Sequence, residues 1–340
     1  MPQIFATQRK ELRLGSAAKT VFDLITPELA LVEAEFERQA SSNIQVIDYL
    51  GEYLRSSGGK RVRPALLILA NYAVGGNAKN DSVIRLATVM EMLHTATLVH
   101  DDIIDNADLR RNRASVNTRF GNQTAVLMGD WLYMSAFETT VKERSLEIID
   151  ILTRLTRKMT EGELIQLTRL GRLDISESEY FDILRRKTAF LFSACCEVGA
   201  ILAGAGKPEQ EALRDYGMDL GIAFQLSDDI LDLTADTESL GKAAGSDLLE
   251  GKLTLPLIYL LERVPSLKSK LEKVMFDGEY SSIGREELKN MLNDHGLLTD
   301  IKRRADDHAE SARKSLDVLS KSEYRSCLEE VLVFVIERNK

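Results

Sequence analysis

The chain is expected to be all-α, a single helical domain with a central pocket, and three observations predict the helical class. Only six prolines interrupt 340 residues. Alanine, leucine, glutamate and arginine, the residues that lose least in a helix, are abundant. No stretch alternates apolar and polar residues between turn signals, as a sheet would require.

Apolar spacing of three and four predicts helices over 26–40, 44–56 and 64–74. A long one follows over 81–105 and closes in an acidic run. The next, 121–144, carries the bulky Trp131, Tyr133, Met134 and Phe137 and reads as core. Helices over 145–170, 176–205 and 208–233 continue the pattern, broken by glycine clusters at 75–76, 204–206 and 241–245. From Thr254 the segments become more charged, through 282–293 and 298–319, as an outer layer would. No break is long enough for a flexible linker, so 1–340 reads as one domain, with 1–20 as a loosely ordered N-terminal segment.

Composition excludes several classes. A net charge of -9 and a pI near 5.2 argue against a general nucleic-acid surface, so any basic site must be local. No apolar run is expected to reach the roughly 18 residues of a membrane span. Residues 1–14 hold charges where a signal peptide needs an apolar core, and Asp23 and Glu28 argue against an organellar leader despite Arg9, Lys10 and Arg13. Cys195, Cys196 and Cys327 cannot all pair and match no zinc spacing, which fits a reducing cytoplasm.

The most informative residues are two copies of one acidic signature, Asp101-Asp102-Ile103-Ile104-Asp105 and Asp228-Asp229-Ile230-Leu231-Asp232. At helical spacing the first and third aspartates of each set lie on one face, with the middle one beside them. Like charges this close raise each other's pKa unless a cation relieves them. Hard divalent cations, for which carboxylate oxygens are the fitting ligands, are the simplest relief. The bland alternative is a solvated acidic patch. Asp306-Asp307 illustrates it, sitting among Lys302, Arg303 and Arg304 without a third aspartate. The two triads instead close largely uncharged stretches, and Leu98-Val99-His100 before one resembles Gln225-Leu226-Ser227 before the other, a hint of two related halves facing one cavity.

The basic complement begins with Gly58-Gly59-Lys60-Arg61-Val62-Arg63-Pro64. Paired glycines admit an anion close to the backbone, and the cations cluster where a helix N-terminus already favours negative charge. Arg110-Arg111-Asn112-Arg113 follows the first triad, as phosphate-binding forks or as simple neutralisers of the aspartates. Lys187-Thr188, Lys242 and Lys252 stand near apolar or glycine-flanked positions; each alone reads as solvent-facing. His94, on an apolar helix, is a core histidine by default and a phosphate donor in the sharper reading.

Taken together, GGKRVRP, LVHDDIID, RRNR, GDWLY, RKTAFLF, FQLSDDILD, LGK and EGKLTLP, in this order, resemble the trans-isoprenyl diphosphate synthases, the polyprenyl synthetase family, over nearly the whole chain. The resemblance implies a mainly antiparallel helical bundle around a deep central cavity, a homodimer that uses magnesium, three ions per site once diphosphate is bound, to add isopentenyl diphosphate to an allylic diphosphate. It assigns Gly59, Lys60, Arg63, His94 and Arg111 to isopentenyl diphosphate. Asp101, Asp105 and Asp228 would hold magnesium, with Asp102, Asp229 and Asp232 supporting them or binding through water. Arg110, Lys187 and Lys242 would hold the allylic diphosphate, with Thr188 and Gln225 near the reacting carbon and Lys252 in a closing loop. Asn112 departs from the glycine common in the family, and asparagine tolerates the left-handed turn expected there. A terpene cyclase needs neither the second intact triad nor the second basic cluster, and a noncatalytic subunit would have lost some of these residues. The remaining partner expectations are no nucleic acid, no transmembrane segment and transient membrane contact for product release.

Chain length is read beneath the first triad. Ala96 and Thr97, one turn deeper than Asp101, are small where short-chain members place aromatic floors. The expectation is a long-chain product of eight isoprene units, within seven to ten, with Phe137 as the new floor; farnesyl or geranylgeranyl length is the alternative.

Overall fold

The computed structural model describes residues 23–56, 58–111, 113–235 and 244–337. It is 79% helical. The helices are α1 (Thr26–Ala40), α2 (Gln45–Ser56), α3 (Val62–Ala73), α4 (Asp81–Ile104), the short α5 (Val116–Phe120), α6 (Asn122–Lys142), α7 (Leu146–Leu167), α8 (Glu177–Leu184), α9 (Phe190–Leu202) and α10 (Lys207–Thr234). Then come α11 (Ser246–Leu249), α12 (Leu255–Arg263), α13 (Lys268–Asp277), α14 (Arg285–Asp294), α15 (Leu297–Ser315) and α16 (Glu323–Glu337). Among the described residues the strands are a single antiparallel hairpin, β1 (Leu109–Arg110) and β2 (Arg113–Ala114), with Leu109 opposite Ala114. The expected N-terminal segment 1–20 lies outside the described residues.

Local signals set several helix starts. Asn80 accepts from the Ser82 amide at the start of α4, Ser145 caps α7, and Ser176 and Glu179 form a reciprocal capping box on α8. Pro27, Pro208 and Pro256 sit in the first turns of α1, α10 and α12, where a missing amide costs nothing. The segment expected as one helix over 176–205 is broken: Arg185–Ala189 forms a π turn between α8 and α9. Such a turn leaves the apolar spacing nearly unchanged, so periodicity does not reveal it.

Two buried apolar clusters share α10. Leu213, Tyr216, Leu220 and Ala223 join the core built around α3, α4, α6 and α9. Ile222, Leu226, Ile230 and Leu233 join a second core with α8 and α12 to α15. α10 therefore packs between α9 and α15, while α4 packs on α6, α3 and α1. Glycines set the closest approach. A Cβ at Gly217 would stand 2.6 Å from the Phe192 carbonyl oxygen, and one at Gly221 would stand 2.6 Å from Ala189 Cα. α4 does pass the length and hydropathy test for a membrane span, contrary to the sequence reading, yet 67% of that window is buried inside the bundle. Its apolarity serves the core.

Candidate active site

α4 is buried nearly all round up to Leu93, then opens. His94, Thr97, Leu98, Asp101 and Asp105 are all partly exposed, although neighbouring helices enclose this one. Met90, His94, Thr97 and Asp101 share one stripe at three- and four-residue spacing. Solvent thus enters the bundle along the upper part of that stripe and stops at Met90, which is fully buried.

The three aspartates of the first set have different surroundings. Burial raises the Asp101 carboxyl to about 6, opposed by Lys187 and reinforced by Glu163 and Asp105. Asp102 is buried and accepts from Arg110 Nε at 2.8 Å and from its Nη2. Asp105 accepts from Lys252 Nζ at 2.9 Å, and the same ammonium reaches Glu250 at 2.7 Å. The loop after the second triad is thereby tied to the first.

The second set, at the end of α10, is equally divided. Asp229 is fully enclosed, accepting from the Tyr180 hydroxyl at 2.6 Å and from Gln225 Nε2 at 3.0 Å. Burial, then Asp247, raises its carboxyl to about 8. Asp232 is buried too, with Ser246 Oγ and the Asp247 amide each 3.4 Å from its carboxylate and its carbonyl holding the Gly245 amide at 2.7 Å. Asp228 is the half-exposed member and lies within electrostatic reach of Arg63. The expectation that Asp229 and Asp232 join Asp228 on a metal meets carboxylates already engaged by the protein. Asp247, which no acidic signature marked, is close enough to Asp229 to perturb it.

Asp101, Asp105 and Asp228 are the oxygen donors that could hold a hard divalent cation. Among the described residues no three carboxylate, imidazole or thiol groups converge as a ready-made metal cage. Magnesium suits such a site, because it commonly takes one or two carboxylates and completes its shell with water and phosphate oxygens. The fit is good.

Between the triads stands the π turn. Its Lys187 pairs with Glu163 at 2.5 Å and hydrogen-bonds Gln166, both on α7. Thr188 donates to Gln225 Oε1 at 2.9 Å, extending a chain through Gln225 and Asp229 to Tyr180. A Cβ at Gly162 would meet Arg186 Cβ at 2.6 Å, so glycine there lets α7 approach the turn. Sequence reasoning missed Glu163, which looks like an ordinary charge on an amphipathic helix.

The basic half lies opposite. Arg61 lies beside Arg111 but is engaged by Glu33 and, at 2.9 Å, by Glu91, with a left-handed backbone at φ 50°. Arg63 places its guanidinium 5.1 Å from the Phe192 ring centroid, its buried Nε without a partner. Lys60 is exposed, with Nζ 5.3 Å from the Phe334 ring on α16. Arg111 donates to the Gly58 carbonyl, and a Cβ at Gly59 would stand 2.6 Å from that guanidinium. Burial first, then Arg63, Arg111 and Arg110, holds His94 well below the ordinary imidazole range, so its ring is neutral. Arg111 itself takes the left-handed conformation, φ 53°. Asn112 and Lys242 lie outside the described residues.

The space beneath the first triad is less uniform than expected. Ala96 is fully buried, while Thr97 is half-exposed and donates to the His94 carbonyl at 2.7 Å. Met134 is 62% exposed and faces out of the bundle. α4 and α6 run antiparallel, since the His100 ring would strike a Cβ at Gly129 and Arg85 pairs with Glu143. In that register Phe137 lies about 13 Å below Asp101, or two and a half turns.

Residues 44–291 match the polyprenyl synthetase family. The chain is 37% identical over 320 residues to the octaprenyl diphosphate synthase of Escherichia coli strain K12, covering 94% of this chain and 98% of that protein. It is 38% identical over 291 residues to the geranylgeranyl diphosphate synthase of Methanosarcina mazei, covering 84% and 88%. Among solved structures, a polyprenyl synthase from Caulobacter crescentus CB15, complexed with calcium and isoprenyl diphosphate, superimposes with a TM-score of 0.89 at 37% identity, covering 96% of this chain and 98% of that one.

Proposed function

Since the chain belongs to the polyprenyl synthetase family and is a prenyltransferase, we propose that it makes a long all-trans polyprenyl diphosphate by adding isopentenyl diphosphate repeatedly to an allylic diphosphate. One observation supports this reading: Lys252 ties the loop after the second carboxylate set to Asp105 of the first, while Arg63 lies within electrostatic reach of both Asp228 and Arg111. One polyanion needs metal; the other needs only cations.

Asp101, Asp105 and Asp228 would hold magnesium, which when bound would supply Lewis-acid neutralisation of the charge developing on the departing diphosphate. Lys187, with Lys242, holds that leaving group, and Arg110 reaches it with the donors that Asp102 leaves unused. The allylic carbon–oxygen bond breaks and both its electrons leave with the diphosphate. Thr188 and Gln225, fixed by the bonds running back to Tyr180, present oxygen dipoles to the carbon cation without being strong enough nucleophiles to trap it. Arg63, Arg111, Lys60 and neutral His94 hold isopentenyl diphosphate so that its double bond forms the new carbon–carbon bond. The released proton goes to the departed diphosphate, the basic group left closest to it.

The product carries eight units, within a range of seven to ten. The octaprenyl relative, which aligns over almost the whole chain, supports this length. At roughly one unit per helical turn of about 5.4 Å, a floor at Phe137 would stop the tail near three units. The tail therefore passes Phe137 and displaces Met90, whose unbranched side chain yields readily. Phe137 is a constriction on the way and the floor lies deeper. We assign the chain to a single domain acting as a homodimer in the cytoplasm, three buried free cysteines fitting a reducing compartment. Leu127, Met134 and Val141, spaced by seven along α6 and 69%, 62% and 48% exposed, form the apolar stripe a second copy would cover.

Labelled isopentenyl diphosphate offered with geranyl, farnesyl and geranylgeranyl diphosphate tests this, with products sized by chromatography. Products of seven to ten units are expected. Accumulation of products of four units or fewer would overturn the chain-length reading.

A further inference from the structure

The segments that carry Arg111 and the glycine loop are not neighbours in sequence, and the last turn of α2 joins them. Tyr53, 6% exposed, donates its hydroxyl to the Ala114 carbonyl on β2 at 2.6 Å. Arg113 of the same strand sets its guanidinium 4.7 Å from the Tyr53 ring centroid and donates to Ser56 Oγ at 2.8 Å. Ser56 in turn donates to the Tyr53 carbonyl at 2.9 Å. Arg119 and Phe120 close the ring's surroundings at 4.6 and 5.3 Å. Two residues beyond Ser56, the Gly58 carbonyl receives Arg111. The contacts form a closed circuit, from the hairpin through Tyr53 and Ser56 to the glycine loop and back through Arg111.

We propose that Tyr53, acting with Arg113, is a positioning residue for the isopentenyl diphosphate pocket. It holds the arginine hairpin against the end of α2 so that Arg111 and the glycine loop meet the same diphosphate. The inference rests on the proposed function for its ligand. Its physical basis is that a cation on a loosely held turn must lose conformational freedom on binding, whereas one already braced does not. Tyr53 and Arg113 act through Arg111 and Gly59; Arg110, on the same hairpin but assigned to the allylic diphosphate, is held separately by its bonds to Asp102, and the rest of the allylic site is built on α4, the π turn and α10.

The test compares Tyr53→Phe, Arg113→Ala and Arg113→Lys with the unaltered chain, measuring KM for each diphosphate and kcat. Losing the brace should raise KM for isopentenyl diphosphate about three- to tenfold in Tyr53→Phe and Arg113→Ala, the size of one hydrogen bond. KM for the allylic diphosphate and kcat should stay within about twofold, and Arg113→Lys should recover less than half of the loss because lysine cannot stack as a plane. Equal rises in both KM values, or no rise, would overturn the inference. Amide exchange at Gly59–Val62 without substrate should also quicken in Tyr53→Phe, and unchanged exchange would count against the brace. If the unaltered chain extends no primer, the function reading fails instead, and the exchange result still decides whether the brace exists.

Discussion

Lys252 Nζ lies 2.9 Å from Asp105 Oδ1, joining residues 147 positions apart. The contact sets a cation from the loop after the second triad on a carboxylate of the first. Asp105 and Glu250 together hold the Lys252 ammonium above its usual range against the opposing effect of burial. The protein thus supplies one positive charge of its own to a site crowded with negative ones.

Replacing Lys252 with alanine should therefore destabilise the metal-free chain. The pair is mostly buried, at 14% and 22% side-chain exposure, so a loss on the order of 1–3 kcal/mol is expected. Saturating magnesium should restore part of it, because the ion replaces the missing charge. Denaturant midpoints with and without magnesium check this, and a loss that magnesium leaves unchanged would contradict the account.

Metal-free stability should fall as pH rises. Asp101 and Asp229 stand at about 6 and about 8 in the fold against an ordinary 3.8. Both are raised, so each contributes stability fully below pH 3.8 and loses it as pH climbs through its folded value. Between pH 5 and 8 this contribution to the thermal midpoint should decline, and Asp229→Asn should flatten the slope across that window, most visibly between about pH 6 and 8 where Asp101 no longer contributes. A cation that binds only the folded, ionised site offsets the loss. Magnesium should hence raise the midpoint more at pH 8 than at pH 5; an equal rise at both would argue against carboxylate ligation.

The two diphosphate sites should separate in kinetics. Arg111→Ala and Lys60→Ala should chiefly raise KM for isopentenyl diphosphate, by about tenfold or more, since phosphate contacts made equally in ground and transition states act on binding. Lys187→Ala should lower kcat, because its ammonium is assigned to the leaving group. The opposite pattern would exchange the two assignments.

Chain length can be read from two substitutions. Ala96 has no exposed surface, so the ring of Ala96→Phe must enter the space a growing tail needs or strain the core by about 1–3 kcal/mol. Products should shorten to three or four units, with a lowered thermal midpoint. Phe137→Ala should leave length within one unit of the unaltered chain, because the tail already passes that level. Marked lengthening there would restore Phe137 as the floor.

Much of the fold was legible in the sequence because the signals were local. α1 runs over the span that Pro27 and the spacing of Val32, Phe36 and Ala40 suggest. Both triads fell at helix ends as their neighbours implied. What was hidden depends on partners distant in sequence. Asp229 resembles Asp102 in the motif, yet Tyr180, 49 residues away, takes one of its oxygens. Arg61 resembles Arg63, yet Glu33 and Glu91 pair with its guanidinium. Ala96 and Thr97 are adjacent, and the 100° step of a helix sends them to different surroundings. The π turn that presents Lys187 and Thr188 leaves no mark on apolar periodicity.

The central claim is that the two carboxylate sets share a metal-borne diphosphate. Incorporation of labelled isopentenyl diphosphate should be measured with chelator, with magnesium restored, and in Asp101→Ala and Asp228→Ala beside the unaltered chain, with circular dichroism to confirm the fold. The account predicts activity that vanishes with chelator, returns with magnesium and falls by about three orders of magnitude in either variant, in keeping with the loss of a main electrostatic stabiliser. Near-normal turnover in either folded variant would contradict it.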